Sequence, residues 1–364
     1  MNIQTYHAEW FEKEFPTHTK DIPNIQRENQ GLVGYLRQIS GFRYLKGILG
    51  NKFKHIIKSL LQSRVIFGYP VSIFEKEVAI SYVKYIYQNN PELSENVFGP
   101  ETLDEVRAIL NNQFHFAYTT FVPLEKLYPG DALAEFKKAE TFHRKALKRN
   151  GNIYEYCGFK SLLPDFEYSV LVKECGISYL PLEVKAKIRG TTFVDCGAFV
   201  GDSAFTLQKL DPVEILAMEP DPKNFEILKA GIKLNAMTKV TPLNYGVGDK
   251  KGTAKFIPEG ICGRVSDNGV TEINITTIND LKNEKKRKIG LIKMDIEGYE
   301  MHALRGAEAT IRTDTPALII AIYHSGSDFF EIPKYIHSIN PNYRMKIVSL
   351  SPLIPLYEKY LIAY

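Results

Sequence analysis

Cysteine, tryptophan and net charge are all scarce in this sequence. Its 364 residues include only four cysteines, Cys157, Cys175, Cys196 and Cys262, with no Cys-x-x-Cys pair among them. That pattern excludes a disulfide-stapled scaffold, argues against a thiolate metal centre and points to a reducing compartment. Cys196, between Asp195 and Gly197, reads as a small buried filler. The formal net charge is only +4, which calls for neither a nucleic-acid partner nor an acidic surface. Residues Met1 to Phe15 mix Glu9, Glu12, Lys13 and Glu14 with aromatics and lack the apolar stretch of a signal peptide. The longest apolar runs, such as Ala317 to Tyr323, are too short to cross a bilayer. A soluble, cytoplasmic protein without stable membrane insertion is expected. Internal repeats and low-complexity segments are missing too.

What is present suggests two parts. Apolar residues make up 44% of the chain, enough for a large core and a prior of two domains. From about Asn24 to Lys148 the periodicity is helical. Ile57, Leu60 and Leu61 recur on one face, as do Phe74, Val78, Ile80, Val83 and Ile86. Pro100-Glu101-Thr102 opens another helix, with acids in its first turn to match the dipole. The sole tryptophan, Trp10, reads as core or interface. No catalytic motif occurs here, so a helical domain over 1–150 is expected to hold an acceptor, a partner or a second copy of the chain. Pro129-Gly130-Asp131 and Arg149-Asn150-Gly151 are turn signals, and the second is taken as the boundary. After it, Tyr154 to Leu163 reads as a strand or hairpin, and Ser169 to Leu180 as a helix ending near Gly176.

Residues 151–364 alternate strand and helix, the pattern of a parallel sheet covered on both faces. Strands are expected at Thr192–Val194, Ile215–Met218, Val240–Leu243, Ile289–Met294, Leu318–Tyr323, Arg344–Val348 and Tyr357–Ala363. Helices are expected at Ser203–Leu210, Pro222–Ala236 and Tyr299–Ile311. Thr253–Phe256 and Val270–Ile275 suggest a hairpin with its turn at Asp267-Asn268-Gly269. The first strand ends in Asp195, and Gly197 and Gly201 then allow a tight turn and a close backbone approach to a ligand. Asp202 or Ser203 would cap the helix that follows. Glu219 closes the second strand, at the distance where an acid can accept ribose hydroxyls. The spacing Gly197-x-x-x-Gly201 is not the G-x-G-x-x-G of a pyrophosphate site, and Asp195 and Asp202 would repel one. A cationic, phosphate-free nucleoside such as S-adenosyl-L-methionine suits these residues better. The glycine spacing disfavours a nicotinamide oxidoreductase, and the intact acids at the strand ends disfavour an inactive nucleoside-binding module.

Five stretches then occur in order: DCGAFVGDS from Asp195, EPDPKN from Glu219, Asn244-Tyr245-Gly246, KMDIEGYE from Lys293 with LRGA from Leu304, and an apolar strand ending in Tyr323-His324. Together they resemble the FkbM family of S-adenosylmethionine-dependent methyltransferases. The resemblance implies a Rossmann-like class I methyltransferase fold, a mostly parallel seven-stranded α/β sheet with one antiparallel strand near its end. It also implies donor contacts from Asp195, Gly197, Ala198, Gly201, Asp202, Ser203, Glu219, Pro220, Asn224, Gly246 and Asp295, with Asp295 and Glu297 beside the donor methyl. The acceptor it implies is a sugar hydroxyl of a glycan, glycolipid or glycosylated metabolite; another small molecule or a protein side chain is the alternative.

Catalysis is expected from Asp295, Glu297 and His324. Alcohols need a base as the methyl arrives, and a histidine titrating near 6–7 is the expected one. Glu300 reads as a first-turn acid matching a helix dipole. Three acids could also bind a hard cation, but no histidine or cysteine joins them in sequence, so no metal is expected. One departure stands out: where FkbM-like sequences often carry Leu-Asp-Asp, this chain has Ile278-Asn279-Asp280, which would alter acceptor preference if that position touches the acceptor. The basic run Lys285-Lys286-Arg287-Lys288 reads as a solvated loop, or else as attraction for an anionic acceptor.

Overall fold

The computed structural model describes residues 1–14, 69–93 and 97–364. The face expected at Ile57, Leu60 and Leu61 lies outside the described residues. The chain divides into two compact units, Met1–Glu92 with Val106–Lys138, and Leu93–Glu105 with Ala139–Tyr364. The turn at Gly151, expected as the boundary, joins the strands Lys148–Asn150 and Ile153–Tyr156, which pair antiparallel within the second unit.

The first unit is helical, with elements at Ile3–Glu14, Ile73–Asn89 and the part of Pro100–Tyr118 from Val106 onward. Ile73–Asn89 begins with a capping box, in which Ser72 accepts from the Glu75 N–H and Glu75 accepts from that of Ser72. Its deeply buried positions are Ala79, Tyr82, Val83 and Ile86, spaced as one helical face. Trp10 is buried among His7, Phe114 and Tyr118, a core position as expected.

The second unit is built on a seven-stranded sheet. Its strands are β1 (Thr192–Cys196), β2 (Glu214–Met218), β3 (Val240–Leu243), β4 (Ile289–Met294), β5 (Ala317–Ala321), β6 (Met345–Ser349) and β7 (Lys359–Ala363). The spatial order is β6-β7-β5-β4-β1-β2-β3, and β7 runs antiparallel to both of its neighbours. Helices α1 (Asp202–Leu207), α2 (Pro222–Leu234), α3 (Ile278–Lys285), α4 (Glu300–Arg305), α5 (Glu308–Asp314) and α6 (Gly326–Ile339) connect the strands. This is the Rossmann-like class I methyltransferase architecture that the motifs imply. Every residue of β1, β4, β5 and β7 is buried, because helices cover both faces.

Several boundaries differ from expectation for local reasons. The helix expected at Tyr299–Ile311 breaks at Gly306, where a Cβ would stand 1.9 Å from the Gly248 carbonyl oxygen, so the two backbones touch. The strand expected to reach Tyr323 stops at Ala321, leaving Tyr323 and His324 in a loop beyond the sheet edge. The expected helix at Ser169–Leu180 ends at Leu171 and gives way to 3₁₀ turns in which Cys175 and Gly176 have positive φ. Gly252–Ile257 and Thr271–Thr276 pair as expected, but Arg264–Val265 takes the other edge of Gly252–Ile257, and the Asp267–Gly269 turn links Arg264–Val265 to Thr271–Thr276. No helix among the described residues is long and apolar enough to cross a membrane. The sheet order reverses between β1 and β4, and α/β sheets bind ligands at the carboxyl edge of such a switch point.

Candidate active site

Asp195, expected to contact the donor, sits on β1 with 0% exposure and spends its carboxylate on contacts within the protein. Its Oδ2 accepts the Ser203 hydroxyl at 2.6 Å, and its Oδ1 faces the Lys293 ammonium at 3.4 Å. Burial pushes its carboxyl above the usual range, and Lys293 and Ser203 counter that. Ser203 turns inward with it, and Gly201, in the left-handed region, is the N-cap of α1 in place of Asp202 or Ser203. Asp202 accepts from the Ser203 N–H, and burial pushes its carboxyl up to about 6. These three side chains therefore shape the turn, while Gly197 and Phe199 are its half-buried surface. Ala198 is wholly buried.

Gly197 has φ +77°, and a Cβ there would stand 2.0 Å from the Asp295 carbonyl oxygen. This glycine lets the turn after β1 lie against the turn after β4. A backbone clash added to a left-handed conformation should make Gly197→Ala cost about 3 kcal/mol. Urea unfolding at a wild-type midpoint would remove that reason for the glycine.

Glu219, at the end of β2, is buried and accepts two backbone N–H groups, from Phe199 at 3.0 Å and from Asp221 at 2.9 Å. These two bonds fix the glycine turn to the start of α2. Burial pushes its carboxyl up to about 7, against the pull of those two N–H groups and of the Asn224 side chain. Around it, the Asn244 amide donates to the carbonyls of Glu219 and Pro220, and Asn224 donates to the Gly260 carbonyl. Gly246 is buried against Ile275 and Ile273, where a side chain would collide. Asn224 and Gly246 therefore hold the wall of the site together through contacts within the protein.

The carboxyl ends of β4 and β5 carry the second cluster. Asp295 accepts the hydroxyls of Tyr323 at 3.0 Å and Tyr360 at 2.6 Å, one on each oxygen. Glu297 and Gly298 follow with φ +58° and +91°, an abrupt turn that is costly for a glutamate and typical of functional sites. His324, with 13% of its side chain exposed, brings Nε2 to 3.5 Å from Glu297 and 3.7 Å from Asp295. Its Nδ1 lies 3.4 Å from Glu300, which is fully buried and accepts the Ile296 N–H. Glu300 is thus more than a first-turn acid. Burial alone would lower the His324 pKa, but Glu300, Glu297 and Asp295 outweigh it and hold the imidazole well above its ordinary range. The ionisation expected near 6–7 is displaced upward. Burial raises the Glu297 carboxyl, whereas His324 draws Glu300 below the usual range against its burial.

Two residues that matter here escaped the sequence reading. Lys293, only 4% exposed, donates to the Gly197 carbonyl at 2.9 Å and pairs with Asp195. A lysine inside the run Ile289–Met294 was the available signal, since a buried strand tolerates a charge only when it is paired. Tyr360, on β7, gave no signal at all. Asn279 proves structural: its Oδ1 accepts from the backbone and hydroxyl of Thr310, joining α3 to α5. The run Lys285–Lys288 ends where β4 begins, at the opposite edge from Asp295, and Lys285 pairs with Glu214 at 3.2 Å.

Residues 195–345 match the methyltransferase FkbM domain. The chain is 26% identical over 147 residues to the hexuronic acid methyltransferase AglP of Haloferax volcanii, a match covering 39% of this chain. It spans 59% of that relative's length. Among solved structures, it is similar to methyltransferase FkbM from Methylobacillus flagellatus, with 20% identity, 74% of this chain and 72% of that one covered, and a TM-score of 0.41. It is also similar to M. jannaschii TYW2 in complex with AdoMet, with 14% identity, coverage of 60% and 83%, and a TM-score of 0.30.

Proposed function

We propose that the protein, whose residues 195–345 match the methyltransferase FkbM domain, is an S-adenosylmethionine-dependent O-methyltransferase acting on a sugar hydroxyl. Glu219 carries the donor half of this reading. It is an anchored carboxylate at the switch point, each oxygen accepting one backbone N–H, with the acceptor character that ribose hydroxyls need. When bound, S-adenosylmethionine supplies an electrophilic methyl on a sulfonium sulfur. The chain's own work is to hold donor and acceptor in line and to exclude water. The Gly197–Gly201 turn offers backbone to the donor, with Lys293 and Asp195 fixing its shape. Asp295, held by two tyrosines, and Glu297, lifted by its turn, offer carboxylate oxygens to acceptor hydroxyls. The carboxylates of Glu300, Glu297 and Asp295 favour the protonated form of His324 and so shift its expected role as base to higher pH.

The similarity to a protein named for hexuronic acid methylation favours a sugar acceptor. Methyl-labelled S-adenosylmethionine and a panel of sugars with and without a carboxyl group test both halves. Label should enter the sugar and resist mild base, as a methyl ether does. Base-labile label would mean a carboxyl is methylated instead, and no transfer to any sugar would remove the acceptor class.

A further inference from the structure

We propose that Asp295, Glu297 and His324 form a divalent-cation site at the carboxyl ends of β4 and β5. In sequence no histidine adjoins the two acids; in space His324 does. One nitrogen or oxygen from each residue can be chosen so that all three lie within 4.8 Å of one another. The distances from His324 Nε2, 3.5 Å to Glu297 and 3.7 Å to Asp295, are long for charged hydrogen bonds. Ligands about 2.1 Å from a shared cation stand about 3.0–3.5 Å apart, so a small contraction would suffice. Neither ring nitrogen of His324 has a hydrogen-bond partner, and both are shielded from solvent.

The surroundings fit the same reading. Glu300, fully buried and fixed by the Ile296 N–H, lies behind Nδ1 at 3.4 Å. A carboxylate there favours a ring proton on Nδ1, so a cation that displaces the Nε2 proton would meet the Nε2 lone pair beside the two acids, as behind many metal-bound histidines. Tyr323 and Tyr360 orient Asp295 by one hydroxyl on each oxygen, which leaves lone pairs for a cation. Asp295, Glu297 and His324 are all partly open to solvent, so an ion has an entry path, whereas Glu300 and Asp328, the other acids near His324, are buried. Three protein ligands leave positions for water or an acceptor hydroxyl, and two carboxylates with one imidazole suit a first-row ion such as Mn²⁺ or Co²⁺. The acceptor part of this idea rests on the proposed function: a cation there would make a bound sugar hydroxyl more acidic.

The test uses the full chain, stripped of metal by chelation, and Mn²⁺ or Co²⁺ alone. Free Mn²⁺ is followed by electron paramagnetic resonance, and bound Co²⁺ by its visible absorption. One saturable site is expected. Glu297→Gln, at a partly exposed turn, and His324→Gln should each weaken it at least about tenfold, and Glu300→Gln about 10–100-fold. Circular dichroism and S-adenosylmethionine affinity are measured on the same samples. Absence of saturable binding, or equal binding by wild type and a folded Glu297→Gln, overturns the site. Donor binding without cation binding would sink the site and leave the proposed function standing. Cation binding without methyl transfer would do the reverse.

Discussion

Glu219→Ala is expected to weaken S-adenosylmethionine binding about 10- to 150-fold. Two ribose hydroxyls would lose a charged acceptor, worth roughly 1.5–3 kcal/mol, and the Phe199 and Asp221 N–H groups that shape the site would lose theirs as well. The wild type should also show a pH effect with a definite sign. Burial holds the Glu219 carboxyl at about 7 in the folded protein, above its ordinary 4.5. Ribose hydroxyls donate to the ionised form more strongly, so affinity rises as pH climbs through about 7 and is lost below it. Folding responds in the opposite sense. A raised carboxyl pKa means the folded state holds the proton longer, so this group's contribution to stability is fully present below the unfolded value and falls as pH rises toward the folded one. Calorimetric titration at about pH 6 and pH 8 checks the assignment, with Glu219→Gln as the control that should lose the pH dependence. Unchanged affinity in the alanine variant, or a Gln variant with the wild-type pH profile, would take the ribose away from Glu219.

Lys293→Met should be the most damaging single change to folding. Methionine fills similar space, so the loss is mainly electrostatic: Asp195 would be left charged, wholly buried and paired only with the Ser203 hydroxyl. Removing one partner of a buried pair costs about 3–5 kcal/mol. The Gly197 carbonyl would lose its donor at the same time, loosening the turn on which the site is built. Burial works against the Lys293 charge, but Asp195 and Asp295 outweigh it and keep the pKa raised, so the lysine is charged in the folded protein. Adding Asp195→Asn should restore much of the stability, because an amide can be buried without a counter-charge. Thermal and urea unfolding of the single and double variants decide the matter. A wild-type midpoint for Lys293→Met would show that the pair carries no weight, and a double variant worse than the single would show that the damage is not electrostatic.

The sheet was legible because its strands are short apolar runs ended by glycines, prolines and acids, signals carried by neighbouring residues. Val240–Leu243 and Ile289–Met294 match their expected bounds. The helix expected at Tyr299–Ile311 was not legible as two pieces, since Gly306 breaks it through contact with Gly248, far away in sequence. The same divide runs through the candidate site. Sequence alone determined that acids and glycines end successive strands, and parallel alternation was enough to put them on one edge, because every strand of that kind points the same way. It also supplied His324 and Glu300, but without their partners. Which groups face each other was decided only by tertiary structure. Asp195 turns to Lys293 across the β1–β4 pairing, Asp295 meets Tyr360 from the reversed strand β7, and His324 enters a ring of carboxylates. The physical reason is that a side chain's charge state and accessibility depend on atoms within a few ångströms. In a sheet ordered β6-β7-β5-β4-β1-β2-β3, those atoms come from residues as many as 98 positions apart, as Asp195 and Lys293 are.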